Sequence, residues 1–241
     1  MALPNPAAPE TVLRSVTEDI LRRAIKLGRR KGRTICISKS AKGKATPVEQ
    51  LNPDTADGRR NLELFLTPIG RHYTISGLGA PEDKKAINWR AINLSSGRRI
   101  LLMILVFLSF LMKGTPLKNR LYRLMGVHVG KNVEIMQLAW LDHFRPELIF
   151  IRDNTLIGAY TRITVHAYEG AGRFRYGLVE IGSNCTIGAG TGMGIIQIED
   201  GVRTLPGTTL SPYLPRVRAG SVVGFNPPPV KLPRDDQTID D

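Results

Sequence analysis

Between residues 129 and 223, an apolar or β-branched side chain returns at every sixth position in short runs. The runs are Val129 and Ile135, then Ile151, Ile157 and Ile163, then Ile181, Ile187 and Met193, then Ile198, Thr204 and Leu210, then Val217 and Val223. Gly130, Gly158, Gly182 and Gly188 follow directly on four of them. The fifth place of most hexads is small or β-branched, as at Val133, Thr155, Thr161, Cys185, Thr191, Val202, Thr208 and Ser221. A six-residue period describes one short strand and one turn, and three such sides close a triangular coil of about eighteen residues. The repeated residue points into the prism and stacks on its equivalents in the coils above and below. Glycine after it relieves the crowded corner, and β-branched neighbours favour extended backbone. No helical period near 3.6 competes with the hexads over this stretch. Residues 136–150 and 164–180 break the period, and they are expected to leave the prism as loops, which in repeat folds commonly carry the working surface.

Upstream the pattern changes. Val12, Leu13, Val16, Ile20, Ala24 and Leu27 fall at helical spacing, which predicts one amphipathic helix ending near Gly28. The Pro- and Ala-rich residues 1–10 are expected to be disordered. Residues 45–97 hold short apolar pieces among Gly and Pro, and the pattern assigns them no fold. Residues 100–112, ILLMILVFLSFLM, are apolar except for Ser109 and are flanked by Arg98, Arg99 and Lys113. After a break at residues 114–116 comes a second helical stretch, LKNRLYRLMG. As a helix the apolar run would measure about 20 Å, against about 30 Å of hydrocarbon in a bilayer, so it is too short to span. It either lies at a membrane interface with its basic flanks on anionic headgroups, or is buried, covering the end of the prism, whose open strand edges need a cover, or packing between subunits. The expected organisation is a basic, partly disordered N-terminal region over residues 1–97, helices over 98–126, the β-helix over 127–230 and a disordered tail over 231–241.

The net charge of +13 suggests nucleic acid until its distribution is read. Residues 1–100 hold 19 Lys and Arg against 9 Asp and Glu, whereas residues 101–241 hold 15 against 12, so the basicity belongs to the front half. Ten basic residues and no acidic ones lie within residues 22–44. With no aromatic side chain interleaved, that run reads first as a solvated face, then as an anionic-membrane contact and last as a nucleic-acid site. Cys36 and Cys185 are too few for a disulfide framework and lack metal-ligand spacing. The N-terminal residues MALPNPAAPETV lack the basic and apolar regions of a secretory signal. The expected location is the cytoplasm, with peripheral membrane contact through residues 98–113 as an option.

Several segments of this half resemble a known family: NRLYRLMGVHVGKNV, LDHFRPELIFIRDNTLIG, VHAYEGAGRFRYGLVEIGSN, IGAG at residues 187–190, LPG at residues 205–207 and the ending AGSVVGFNPPPV. Over residues 119–230 the chain is similar to the hexapeptide-repeat acyltransferases, which include sugar, antibiotic and serine O-acetyltransferases. The resemblance implies a mainly β fold, a left-handed parallel β-helix of hexapeptide repeats, assembled as a homotrimer. It implies that acetyl-CoA or another acyl-CoA binds in the cleft between neighbouring prisms, with no metal, and that a loop histidine deprotonates a hydroxyl or amine acceptor. The acceptor would be a small molecule, a sugar or a lipid-linked group. His166 holds the histidine's place, directly after Val165 where the period stops, and an imidazole suits general-base work at neutral pH. Asp142, in a segment like the family's Leu-Asp motif, would orient His166 or the acceptor, or else cap the following segment; Glu169 is a weaker carboxylate candidate. Gly188, Ala189, Gly190 and Gly207 are the expected acyl-CoA contacts, with a backbone N–H near residues 188–190 as donor to the oxyanion. The sequence departs from the family at Ala167, where glutamate usually follows the histidine, at Arg152, where glycine is usual, in the register of MGIIQIEDG, and in the two prolines of LSPYLPRVRAG.

These departures keep a second reading open, a catalytically degenerate β-helix acting as a binding or scaffold module. A third, a β-helix carbonic anhydrase, would need His128, His143 and His166 to converge on zinc, and nucleic-acid binding by the basic front half is the fourth.

Overall fold

The computed structural model describes residues 8–39, 43–67, 71–79, 92–93, 95–170, 172–210 and 216–224. Residues 1–7 and 225–241, which include the expected C-terminal tail and the proline-rich ending, lie outside the described residues, as do residues 211–215.

Three parallel sheets form the faces of a prism. The first holds β4 (His128–Val129), β7 (Ile149–Ile151), β12 (Val179–Ile181), β15 (Ile196–Ile198) and β18 (Arg216–Val217). The second holds β5 (Glu134–Ile135), β8 (Leu156–Ile157), β13 (Thr186–Ile187), β16 (Arg203–Thr204) and β19 (Val222–Val223). The third holds β6 (Trp140–Leu141), β9 (Arg162–Ile163), β14 (Gly192–Met193) and β17 (Thr209–Leu210). The fold is a left-handed parallel β-helix. The hexad residues stack in register, Val129 on Ile151, Ile151 on Ile181 and Ile181 on Ile198, so each buried aliphatic meets its own equivalent. The small fifth places face inward, and their hydroxyls find carbonyls there: Thr155 Oγ1 donates to Gly182 O at 2.8 Å and Thr191 Oγ1 to Gly188 O at 2.7 Å. One corner is turned by Asn132, Asn154, Asn184, Gly201 and Gly220, all at φ between 50° and 70°, the left-handed conformation that asparagine and glycine tolerate best.

The segment 136–150 is mostly prism, contrary to the loop expected from the broken period. Leu141 completes the first coil, and Trp140–Leu141 pairs with Arg162–Ile163. The corner before it is turned by Leu138 at φ 62°, whose N–H donates to Phe110 O at 2.7 Å, so a helix carbonyl stands in for a missing coil.

That helix belongs to a cover. α1 (Pro9–Lys31) and α2 (Ala56–Leu66) lie in the N-terminal region, while α3 (Ser96–Leu111) and α4 (Pro116–Met125) precede the prism. From α4, Arg123 donates to Val129 O and Gly130 O, Asn119 to Val133 O, Tyr122 to Ala139 O, and buried Lys118 to Met136 O at 2.6 Å and Met112 O at 3.1 Å. The open edge of the first coil is thereby satisfied by side chains rather than by another strand.

Residues 45–97, unassigned from sequence, contribute α2 and β3 (His72–Ser76). β3 pairs with β1 (Cys36–Ser38), which pairs in turn with β2 (Thr46–Pro47). The helical period seen from Val12 to Leu27 is the buried side of α1, with Leu13, Val16, Ile20, Ala24 and Leu27 in the core. Within the basic run, Arg22 pairs with Asp54, Arg23 with Asp19 and Arg29 with Glu49, so part of its charge is spent within the fold.

Candidate active site

The second interruption of the repeat is a β-hairpin. Val165 ends the third face, and β10 (His166–Gly170) and β11 (Arg173–Gly177) then leave the prism as an antiparallel pair, with His166 opposite Tyr176. β11 also pairs with β3, placing Phe174 opposite Ile75 and Tyr176 opposite Tyr73. The hairpin is thus part of a five-stranded sheet in the order β10-β11-β3-β1-β2, held by the N-terminal region. Glu169, the weaker carboxylate candidate, ties this sheet together: it pairs with Arg175 and accepts from Thr74 Oγ1 at 3.3 Å.

Asp142 follows directly on β6, and its N–H continues the prism ladder to Ile163 O. Its carboxylate is buried and accepts from Phe144 N–H at 2.8 Å and Val165 N–H at 3.0 Å, and it meets His166 Nδ1 at 2.5 Å. Burial pushes the carboxyl's pKa up, but the hydrogen bond and charge of His166, with the two backbone N–H groups, outweigh this and hold it below the usual value. An ionised Asp142 favours the imidazole tautomer that carries its proton on Nδ1. The imidazole is stacked on Phe174, with centroids 5.3 Å apart and planes 13° apart, and meets the edge of Phe144 at 5.0 Å. Its side chain is 21% exposed.

That exposed part lines a groove of about 340 Å³ along the third face, with Arg162, Thr164, Ala167, Arg175 and Gly192 among its walls. Gly192 is the outward residue of its strand, between Arg162 and Thr209 in the coils on either side. Lacking a side chain, it leaves the groove open between them.

The structure brings His166 and Asp142 together. Gly188, Ala189, Gly190 and Gly207 lie elsewhere, at the corner that precedes the third face, whereas His166 departs from the corner that follows it. Gly188 N–H donates to Thr204 Oγ1 at 2.8 Å and Gly190 N–H to Ala159 O at 2.7 Å, so both are committed within the prism. A Cβ on Gly188 would sit 2.6 Å from backbone of the next coil, and Gly190 and Gly207 have φ of 71° and 72°. His128 stacks on Phe150 at 4.1 Å, and His143 packs against Trp140 and Phe144. Among the described residues, no group of three His, Cys, Asp or Glu is placed to hold a metal ion.

Sequence reasoning missed Phe174, Phe144 and Gly192. The alternation in RFRYG, with Phe174 and Tyr176 buried and Arg173 and Arg175 half-buried, is a strand signal within the expected loop.

No family model matches the chain. Over 113 residues, 46% of this chain, it is 35% identical to the candidate acetyltransferase YvoF of Bacillus subtilis (strain 168). The resemblance to the hexapeptide-repeat acyltransferases holds. The chain spans 63% of that relative's length. Two further likenesses are to solved structures. One is a hexapeptide-repeat-containing acetyltransferase from Vibrio cholerae, with 15% identity, a TM-score of 0.44 and coverage of 56% of this chain and 91% of that one. The other is a maltose O-acetyltransferase from Clostridium difficile 630, with 20% identity, a TM-score of 0.38 and coverage of 54% and 83%.

Proposed function

We propose that the chain is an acyltransferase that moves an acyl group, acetyl in the simplest case, from CoA to a hydroxyl or amine acceptor. The supporting observation is the His166–Asp142 pair, set at the mouth of a groove on a hexapeptide prism. Nε2 of His166 takes the acceptor's proton as the acceptor oxygen or nitrogen attacks the thioester carbonyl. The tetrahedral intermediate then collapses, the C–S bond breaks, and the departing thiolate recovers that proton from the imidazolium. Asp142 holds the ring in the competent tautomer and stabilises the imidazolium while it exists. General-base catalysis of this kind contributes a factor of about 10² to 10⁴.

Acyl-CoA is assigned to Gly188, Ala189, Gly190 and Gly207 of a neighbouring copy in a homotrimer. Ala189, Gly190 and Gly207 are exposed small residues at one corner, flanked by exposed Tyr160 and Leu205, along which a chain such as the donor's can approach the backbone. Because the N–H groups of Gly188 and Gly190 are engaged, the oxyanion donor is to be sought beyond those two. No metal takes part in this scheme.

The second reading, a binding or scaffold module, draws on Ala167 in the groove wall, where the family usually has a carboxylate. Acceptor-dependent release of CoA thiol from acetyl-CoA separates the two. The enzyme reading expects turnover with some member of a panel of sugar, amine and lipid-linked acceptors, reduced about 10² to 10⁴-fold in His166→Ala. Thermal stabilisation by CoA without turnover on any acceptor would favour the module.

A further inference from the structure

α3 is apolar on every side, yet only one side of it is covered. Leu102, Val106 and Ser109 are buried. On the opposite side Ile100, Ile104, Phe107, Leu108 and Leu111 follow the three- and four-residue spacing of a single helix face, each about half or more exposed. Leu117 and Leu124 of α4 are exposed as well, Leu124 to 79%. A contiguous apolar surface of this kind marks an interaction site.

The charge around it narrows the choice of partner. Arg98, Lys113, Arg120 and Lys131 are exposed, and no Asp or Glu occurs anywhere in residues 95–133. A second copy docking through the same face would bring these cations against their own equivalents, which opposes self-association. One carboxylate, that of exposed Glu134, lies against Gly114 beside these cations, and an apolar face whose rim is so largely cationic matches the boundary between acyl chains and anionic headgroups. No helix among the described residues is long and apolar enough to cross a membrane, and a helix of sixteen residues can instead lie flat on one.

We propose that the outer faces of α3 and α4 dock the protein on the surface of an anionic lipid bilayer. This surface lies on the cover of the prism rather than in the groove, and its existence does not depend on acyl transfer.

Co-sedimentation of the full chain with vesicles tests it, using phosphatidylcholine alone or mixed with phosphatidylglycerol. Binding is expected with the mixed vesicles, falling about five-fold for each charge removed in Arg98→Gln and Arg120→Gln and weakening as salt is raised. The triple variant Phe107→Ser, Leu108→Ser and Leu111→Ser should lose about ten-fold or more in partitioning while keeping the wild-type melting temperature, because these side chains are exposed in the fold. Absence of binding to the mixed vesicles at low salt would overturn the proposal. So would undiminished binding by the triple variant, or a dimer in sedimentation velocity that the same triple substitution dissociates.

Discussion

In the prism, Ile151 meets Val129 and Ile181, its own equivalents one coil away, whereas in the N-terminal sheet Ile75 meets Ile37 on one side and Phe174 of the distant hairpin on the other. The first arrangement repeats a local rule, and each coil needs only its neighbours. The second depends on two remote segments finding each other, and it fixes the hairpin whose first residue is His166. The comparison separates what builds the scaffold from what positions His166. Arg145 makes the same link from the other side: it is buried, its guanidinium meets Asp19 of α1 at 2.6 Å, and it lies three residues after Asp142.

Paired core truncations should break this comparison most visibly. Ile198→Ala in the prism and Ile75→Ala in the sheet each remove a fully buried side chain and should each cost about 2–5 kcal/mol in chemical denaturation. Only Ile75→Ala should also lower kcat of the protein that remains folded, because only it loosens the strand holding β11. Equal specific activities would mean that the N-terminal sheet does not aim His166.

The next effect in size concerns the groove. A Cβ on Gly192 would find its nearest neighbour, Thr209 Oγ1, at 3.9 Å, so a larger side chain there fits the fold and fills the space beside His166. Gly192→Val should lower acyl transfer about ten-fold or more, on the rule that small misplacements of substrate are costly, with stability changed by less than about 0.5 kcal/mol. Unchanged turnover would place substrate elsewhere.

The smallest effect belongs to the cover. Burial lowers the Lys118 pKa from 10.5 to about 8. Below about pH 8 the amine is protonated in both states and contributes no slope. Between there and 10.5 the unfolded chain binds more protons than the folded one, so this group makes stability rise with pH. Buried Tyr73, raised from 10.0 to about 12, acts in the opposite sense once unfolded tyrosine begins to ionise. The rise should therefore show as an increase in melting temperature between about pH 8 and 9.5, and Lys118→Met should flatten it.

How much of this was legible follows from the same contrast. The stacks on Ile151, Ile157 and Ile163 could be read because each residue predicts the next at a fixed distance. Leu141 escaped although it sits six after Ile135; its corner is turned by Leu138, and the equivalent corner of the next coil by Tyr160, where the other corners have asparagine or glycine. The pairing of β3 with β11 left no trace in the sequence, since antiparallel partners far apart share no period, and so the segment 164–180 read as a loop. His166 and Asp142 were nameable, but their contact at 2.5 Å depends on a coil closing between them. Gly192 is one glycine among 24 until its neighbours Arg162 and Thr209 are set on either side of it.

In the proposed acyl transfer Asp142 works through His166 as one unit, and a double-mutant cycle examines that most directly. His166→Ala should remove about 10² to 10⁴ of kcat/KM, and adding Asp142→Asn to it should cost almost nothing more. Losses that multiply in the double variant, or full activity in His166→Ala, would contradict the account.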